Sequence, residues 1–576
     1  MGTTSIRFAQ PPAARHQLVV FAPSVDDAIP ADDPVRAFAA LLEDVDWTPW
    51  ELAYEGCGQP PIHPRYLAGA MLYGVLHKLR STRELERAAR KHLDFIWLLE
   101  GFTPDHSTFA GFRLRHAEAI QDLQRQVAQA LVMRREQALL RLILDGTRLR
   151  ADSDRHGART AETLEKIIAE LNRRLEALTQ DETPPAPVQT DYLEEAAAEP
   201  TTPTAAPSPE AVPRLEAKRA QYQRALEAAH ARDARARQHD GKNAKPVRVP
   251  VTDPESHITP NKEGGFAPNY TPIAAIEPQS GAIVHADVLD GSDEASAVMP
   301  AVAAAQALTE CPVDSVLADG GFAAGPVLEA LDAAGIEAYM PTRSAGPADN
   351  PAIRPDPSQP VAEAERDRLP RHGAHLDRAA FIYDPSADVY YCPMGHPLAP
   401  YKHGKSPDGV PYVYYQCHHG RDCPLAPVCI KGKEAFRSLT RDAYEPLREA
   451  TAQRMATPEG RAIYRMRAPG IEGVFGVIKS VLDVRRFTLR GLAKVRIEWS
   501  WICTAYNLKK LLRLAVDSAR KALAPSGRRS FCAEKRLRTH SRPVSGATVI
   551  HQVSHPMLRL IRTIGYRPYA QSAAAA

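Results

Sequence analysis

Residues 139–151 read LLRLILDGTRLRA, and their period decides the fold class. Leu140, Leu142 and Leu144 alternate with Arg141 and Ile143, a two-residue repeat that suits a strand and not a helix. The strand ends near an acid, Asp145, followed by Gly146. SVLADGGF at 315–322 repeats the arrangement: an apolar run, then Asp319, then glycine. A buried strand delivers an acid at its C-terminal end on a fixed backbone, and the following glycine lets a substrate or metal come close. A single Asp-Gly after a strand is also an ordinary turn former, so each site taken alone is ambiguous.

Outward from these two stretches the pattern alternates. TPIAAIEP (271–278) and GAIVHADVLD (281–290), split by Gln279-Ser280-Gly281, read as a hairpin. Residues 294–308 read as a helix, VLEALDAA (327–334) as another, and IEAYMPTR (336–343) as a strand. Between the first strand and the hairpin, Leu164, Ile167, Ile168, Leu171, Leu175 and Leu178 keep three-four spacing, and Leu215, Tyr222, Leu226 and Ala229 resume it. The stretch 181–213 between them is acidic and Pro-rich, with no Lys or Arg, a composition that cannot bury enough apolar area to order itself. Residues 160–245 therefore read as a helical hairpin inserted into another domain, or as helices that simply pack on it. The expected class is α/β, multi-domain, with the sheet residues at 139–159 and 246–345.

With 576 residues and roughly 100–200 per domain, about three to five domains are expected. Hydrophobic content of 44% and charged content of 24% are those of a globular protein and exclude wholesale disorder. No run of 18 apolar residues is present, and the N-terminus lacks an apolar signal core, so a cytoplasmic location without membrane contact is expected. Residues 35–138 read as a helical domain, after a mobile segment at 1–34. Pro64 suits a first helical turn, Ser81 and Glu84 have capping-box spacing, and Ser107 can cap the helix carrying Phe109 and Phe112.

The net charge of +3 hides an asymmetry. Residues 461–515 hold 12 Lys+Arg against 3 acids, and 516–576 hold 11 against 2. That surplus suits a polyanion-binding surface. It falls on a stretch at 441–515, read as one long helical run from 459, and on a flexible tail at 516–576. A third acid, Glu472, stands in GIEGVFGVIKSVLDVRRF, with Phe475 at i+3 and Lys479 at i+7. Carboxylates from two strands and one helix could hold two Mg²⁺ about 3.5–4 Å apart, hard ions that prefer oxygen ligands. Arg467, Lys479, Arg485, Arg486 and Arg490 would meet phosphates.

LILDGT, VLADGGF and the run from Ile471 to Leu512 resemble the three acidic motifs of bacterial insertion-sequence DDE transposases, most closely an IS-eleven-eighty-two-like group. PDHST at 104–108 and Asn269-Tyr270, expected just before the second strand, match that group. The resemblance covers most of 35–515. It implies an RNase H-like catalytic core behind a helical DNA-binding domain, with Asp145, Asp319 and Glu472 as catalytic metal ligands. It implies two Mg²⁺ ions, replaceable by Mn²⁺, and cleavage at the ends of an insertion sequence followed by joining to target DNA. The implied partners are transposon-end and target DNA, bound by a homodimer near the nucleoid. Tyr464, Arg467, Glu472 and Lys479 fit the family's helix signature except that the middle gap is one residue too long and contains Pro469-Gly470. Glu459 and Glu498 are rival third acids. A catalytically inactive DNA-binding derivative and a metal-dependent nuclease without strand transfer are the alternatives.

Four of the eight cysteines, Cys392, Cys417, Cys423 and Cys429, cluster within 38 residues, with 24, 5 and 5 residues between them. In a reducing compartment such a cluster suits a structural Zn²⁺, with His396, His418 or His419 as substitute ligands. They could equally be reduced, small apolar residues. The segment 346–440 around them reads as a small loop-rich insertion with little apolar material of its own. Cys503 lies on an apolar helix and reads as core.

Overall fold

The computed structural model describes residues 24–54, 60–133, 140–179, 211–241, 244–261, 264–291, 293–343, 346 and 349–523. The linker expected to be disordered therefore lies outside the described residues up to 210, and the basic tail does so from 524. Two compact units are distinguished, residues 1–116 with 512–576 and residues 117–511.

The first unit is helical. Its main helices are α1 (Pro34–Glu43), α2 (Pro64–Leu76), α3 (Thr82–Lys91), α4 (Leu93–Leu98) and α5 (His106–Arg115). Residues 24–34, grouped in sequence with a mobile segment, instead form a capped turn of helix, and the Asp33 side chain caps α1. Pro64 opens α2, and Ser81 and Glu84 close a capping box on α3. The cap of α5 differs from expectation: Asp105 accepts from the Thr108 N–H at 2.7 Å, while Ser107 Oγ donates to Asp105. A carboxylate is the stronger acceptor at a helix N-terminus. Phe38, Trp50, Leu72 and Phe109 are fully buried in this unit's core.

The second unit opens with α6 (Ala117–Val132), followed by β1 (Leu140–Gly146), β2 (Leu149–Arg150), α7 (Ala161–Thr179), α8 (Ala211–Asp240), β3 (His257–Pro260), β4 (Phe266–Glu277), β5 (Ala282–Leu289), α9 (Val298–Thr309), β6 (Val313–Leu317), α10 (Gly325–Ala333) and β7 (Glu337–Tyr339). The sheet runs β5-β4-β1-β6-β7. Pairs β5·β4 and β4·β1 are antiparallel, and β1·β6 and β6·β7 are parallel. β4 is buried along almost its whole length, as a central strand covered on both faces must be. α6, expected with the N-terminal helices, packs its buried Ile120, Leu123 and Val127 side on this unit, against β5 and α9. Asn269 and Tyr270, expected before the second strand, lie inside β4, where the Tyr270 hydroxyl donates to Asp253 at 2.8 Å.

α7 and α8 do form a hairpin: Leu164 packs with Ala225 and Ala229, and Ile167 and Leu171 with Tyr222. Arg232 ties α8 to the carbonyls of Pro254 and Ser256, at 2.7 and 2.9 Å.

The cysteine-rich segment departs most from its sequence reading. It is a five-stranded antiparallel meander, β8 (Ile382–Asp384), β9 (Val389–Tyr391), β10 (Pro397–Lys405), β11 (Pro411–Cys417) and β12 (Ser438–Asp442). It has its own core of Leu369, Phe381, Tyr390, Leu398, Tyr415 and Leu439. Tyr390 and Tyr415 are part of that core, their rings packed while their hydroxyls keep polar partners.

The described residues close with α11 (Glu445–Ala456), α12 (Pro458–Arg465), α13 (Arg467–Gly476), a π-helical turn at Val477–Val481, and α14 (Leu492–Leu523). The helical run expected over 459–515 is thus broken at 482–491. There Asp483 and Gly491 take left-handed φ of 55° and 86°, and Arg150 and Phe487 pair through a backbone N–H···O bond of 2.9 Å. α14 lies on the sheet: the Trp499 indole N–H donates to the Ile273 carbonyl, and Asn507 bridges both backbone groups of Ile283.

Candidate active site

The register of the two parallel strands fixes the first two acids. Ile143 pairs with Leu317, so Asp145 and Asp319 each lie two residues further, at the same end of neighbouring strands. Two residues is one strand period, so both carboxylates fall on the face of Ile143 and Leu317. Asp145 Oδ1 accepts from the Gly146 N–H at 2.9 Å, and Asp319 Oδ1 accepts from the Gly321 N–H at 2.8 Å.

α13 covers this face. Its Gly470 is so close to β1 that a Cβ there would stand 2.8 Å from Ile143 Cδ1, and Pro469 falls in the first turn of α13, where the missing N–H costs no helix bond. From the first turn of α13, Arg467 Nη2 reaches Asp145 Oδ2 at 2.9 Å and Asp319 Oδ2 at 3.8 Å. Its Nε is buried without a hydrogen-bond partner. Arg467 was expected on phosphates; in the protein alone it neutralises the two acids. Tyr464 is close enough for its hydroxyl to feel Arg467, Asp319 and Asp145.

A third carboxylate joins them, and it is not the expected one. Glu294, on the connection from β5 to α9, lies against both glycines. A Cβ on Gly321 would meet its Oε2 at 2.7 Å, and one on Gly146 its Oε1 at 3.1 Å. Burial, with Asp319 and Asp145 beside it, holds the Glu294 carboxyl above its usual range. Sequence offers no signal for it, because an acid before a helix is commonplace.

Glu472 is exposed on α13, five residues beyond Arg467, with no hydrogen bond or ion pair among the described residues. The structure does not bring it into contact with Asp145 or Asp319. Phe475 is buried, and Lys479 donates to Thr147 Oγ1, so the helix is anchored just past Asp145. Glu498 is buried and accepts from the N–H groups of Thr488 and Leu489, which fits a structural role. Glu459 is exposed in the first turn of α12.

Arg485, Arg486 and Arg490 lie on the break before α14. Arg486 and Arg490 both pair with Asp152, at 2.8 and 3.0 Å, and Arg485 stands 3.7 Å from Asp483. All three remain more than half exposed, so such surface pairs hold them weakly. Cys503 is fully buried, as expected of core. Among the described residues, no three or more His, Cys, Asp or Glu side chains stand, as placed, in metal-ligating geometry. The donors around Arg467 are nonetheless hard oxygens of the kind Mg²⁺ prefers, and the arginine shows that the cluster draws in a cation.

Two family models match the chain. The transposase DDE domain matches residues 391–512, and the Transposase domain (DUF772) matches residues 23–115. Over these two stretches the chain is similar to transposase domains. The DDE-domain match contains Glu472, Lys479 and the arginines at 485, 486 and 490, whereas Asp145 and Asp319 lie N-terminal to it. The second match covers the helical N-terminal region. None of the curated proteins matches the chain. No helix among the described residues is long and apolar enough to cross a membrane.

Proposed function

We propose that the chain cleaves DNA at the ends of an insertion sequence and joins those ends to target DNA by phosphoryl transfer. One observation carries the reading: Asp145 and Asp319 stand at the same end of adjoining parallel strands, under a helix whose Arg467 reaches both and which also bears Glu472. The strand order, three antiparallel strands continued by two parallel ones, supports an RNase H-like core. Asp145, Asp319 and Glu472 are the residues that would hold the divalent ions, with Glu294 lining the pair. Two Mg²⁺ ions, or Mn²⁺ in their place, would supply Lewis acidity at the phosphorus and lower the pKa of bound water.

The chain's own residues do the positioning. Arg467 holds the acids' negative charge in the absence of DNA and is placed to meet a scissile phosphate when cations take over that charge. Arg485, Arg486 and Arg490 bind the backbone on either side without reading sequence. Lys479 fixes α13 against the end of β1. PDHST and Asn269-Tyr270 support the IS-eleven-eighty-two-like group, and a homodimer would present two such sites to paired ends.

The test uses the DNA that flanks the gene. Purified protein is incubated with labelled duplexes carrying those flanking ends, a supercoiled target plasmid and Mg²⁺. End cleavage followed by covalent joining to the plasmid is expected. Cleavage without joining would favour a nuclease, and binding without cleavage an inactive derivative.

A further inference from the structure

Cys392 follows β9, Cys417 ends β11, and Cys423 and Cys429 lie on the connection to β12. Folding brings these distant thiols to one cavity of about 20 Å³, little more than the space of one water molecule. None is in a disulfide, and each of the other three thiols bears electrostatically on Cys429.

Two further features face this cavity. The turns after Cys392 and Cys417 are alike. Backbone N–H groups of Met394 and His396 point at the first sulfur, and those of His419 and Gly420 at the second. Each turn has a left-handed glycine three residues after its cysteine, Gly395 at φ 79° and Gly420 at φ 56°. Arg437 also lines the cavity and is only 9% exposed. Its Nε is buried without a partner, and its charge acts on Cys429. A buried guanidinium calls for negative charge, which four neutral thiols do not provide.

We propose that Cys392, Cys417, Cys423 and Cys429 bind one structural Zn²⁺ as four thiolates, with Arg437 offsetting part of the resulting negative charge. Four sulfurs suit Zn²⁺ far better than Mg²⁺. Since the thiols do not stand in ligating geometry as placed, the ion draws them together across the small cavity. Each thiol gives up its proton to solvent as its sulfur bonds to the metal, so four protons leave for one Zn²⁺ bound. His396 and His419 stack on each other, ring centroids 3.5 Å apart, and do not line the cavity, which leaves the ligand set to sulfur. The site ties the β9–β10 turn to the β11–β12 connection, on a sheet that already has its own core.

This inference does not rest on the nuclease reading, and its test needs no DNA. Full-length protein from zinc-replete cells, dialysed into metal-free buffer, is analysed for metals. One zinc per chain is expected. Exchange with Co²⁺ should give the thiolate charge-transfer and tetrahedral d–d bands of a four-sulfur site. Cys423→Ser, the substitution at a half-exposed member of the set, should lower zinc retention against a chelator at least tenfold, and Cys311→Ser should leave it unchanged. Wild-type protein without zinc and without the cobalt spectrum would overturn the proposal. Zinc retention indifferent to both Cys423→Ser and Cys429→Ser would overturn it too.

Discussion

Arg467 holds a guanidinium nitrogen 2.9 Å from Asp145 Oδ2, and the same nitrogen stands 3.8 Å from Asp319. Beside those acids and Glu294, it is a protein-supplied cation where the proposed reaction would need a metal. Its removal leaves three carboxylates facing one another. Arg467→Ala should therefore destabilise the metal-free protein by about 1–3 kcal/mol. Millimolar Mg²⁺ should recover part of that loss, and more in the variant than in wild type. Urea unfolding of the second unit with and without Mg²⁺ measures both quantities. An unchanged midpoint would show that the pair contributes nothing.

The identity of the third acid is open to a direct comparison. Glu472 sits on α13 with Arg467 but is exposed, while Glu294 lies against the Asp-Gly turns. Glu472→Gln should lower end cleavage by a factor on the order of a hundred or more, the scale of losing one preorganised charge-stabilising group. Glu294→Gln should retain more activity, because it lines the pair without coming from α13. The reverse order would make Glu294 the third ligand and Glu472 a surface residue.

The first strand of the central sheet was legible from the two-residue repeat of Leu140, Leu142 and Leu144, although Ile143 between the last two is just as buried, under α13, and the two Asp-Gly ends followed from such runs. Glu294 was not legible: nothing local separates it from any acid preceding a helix, and only the approach of the β5–α9 connection to Gly146 and Gly321 gives it meaning. The ion pairs of Arg467 with Asp145 and Asp319 were not legible either, since nothing local in a basic stretch reports a long-range partner. The tyrosine-rich core under the cysteines was missed because Tyr390 and Tyr415 pack their rings while their hydroxyls bond to polar neighbours, Arg378 and Asp388.

In the helical unit, His116 is buried beside Trp50 and Phe112, ring centroids 5.0 and 4.5 Å away. Burial lowers its pKa to about 4, below an unfolded value of about 6.5. Between these values the unfolded chain binds more protons than the folded one. The contribution is thus complete above pH about 6.5, falls as pH drops towards 4, and changes no further below that. Thermal melts of wild type and His116→Phe across pH 4–7 should converge or cross at the acid end. Parallel curves over that range would mean His116 does not titrate with unfolding.

The exposed arginines at the break before α14 should act through phosphates. Arg485→Ala and Arg486→Ala should weaken binding to unrelated duplexes about equally, and each lost contact should reduce the log–log salt slope by roughly one. Binding titrations from low to moderate salt read the slope. A slope that does not change would place both residues outside the interface.

The central claim is that Asp145 and Asp319 form the catalytic pair of a DNA-cleaving site. Its most direct test is single-turnover cleavage of a duplex carrying the flanking end by wild type, Asp145→Asn and Asp319→Asn in Mg²⁺, with end binding measured in parallel. Each amide keeps the shape of the side chain and removes its charge. The account predicts binding within about threefold of wild type and cleavage lowered at least about a hundredfold in both variants; cleavage at the wild-type rate in either one would contradict it.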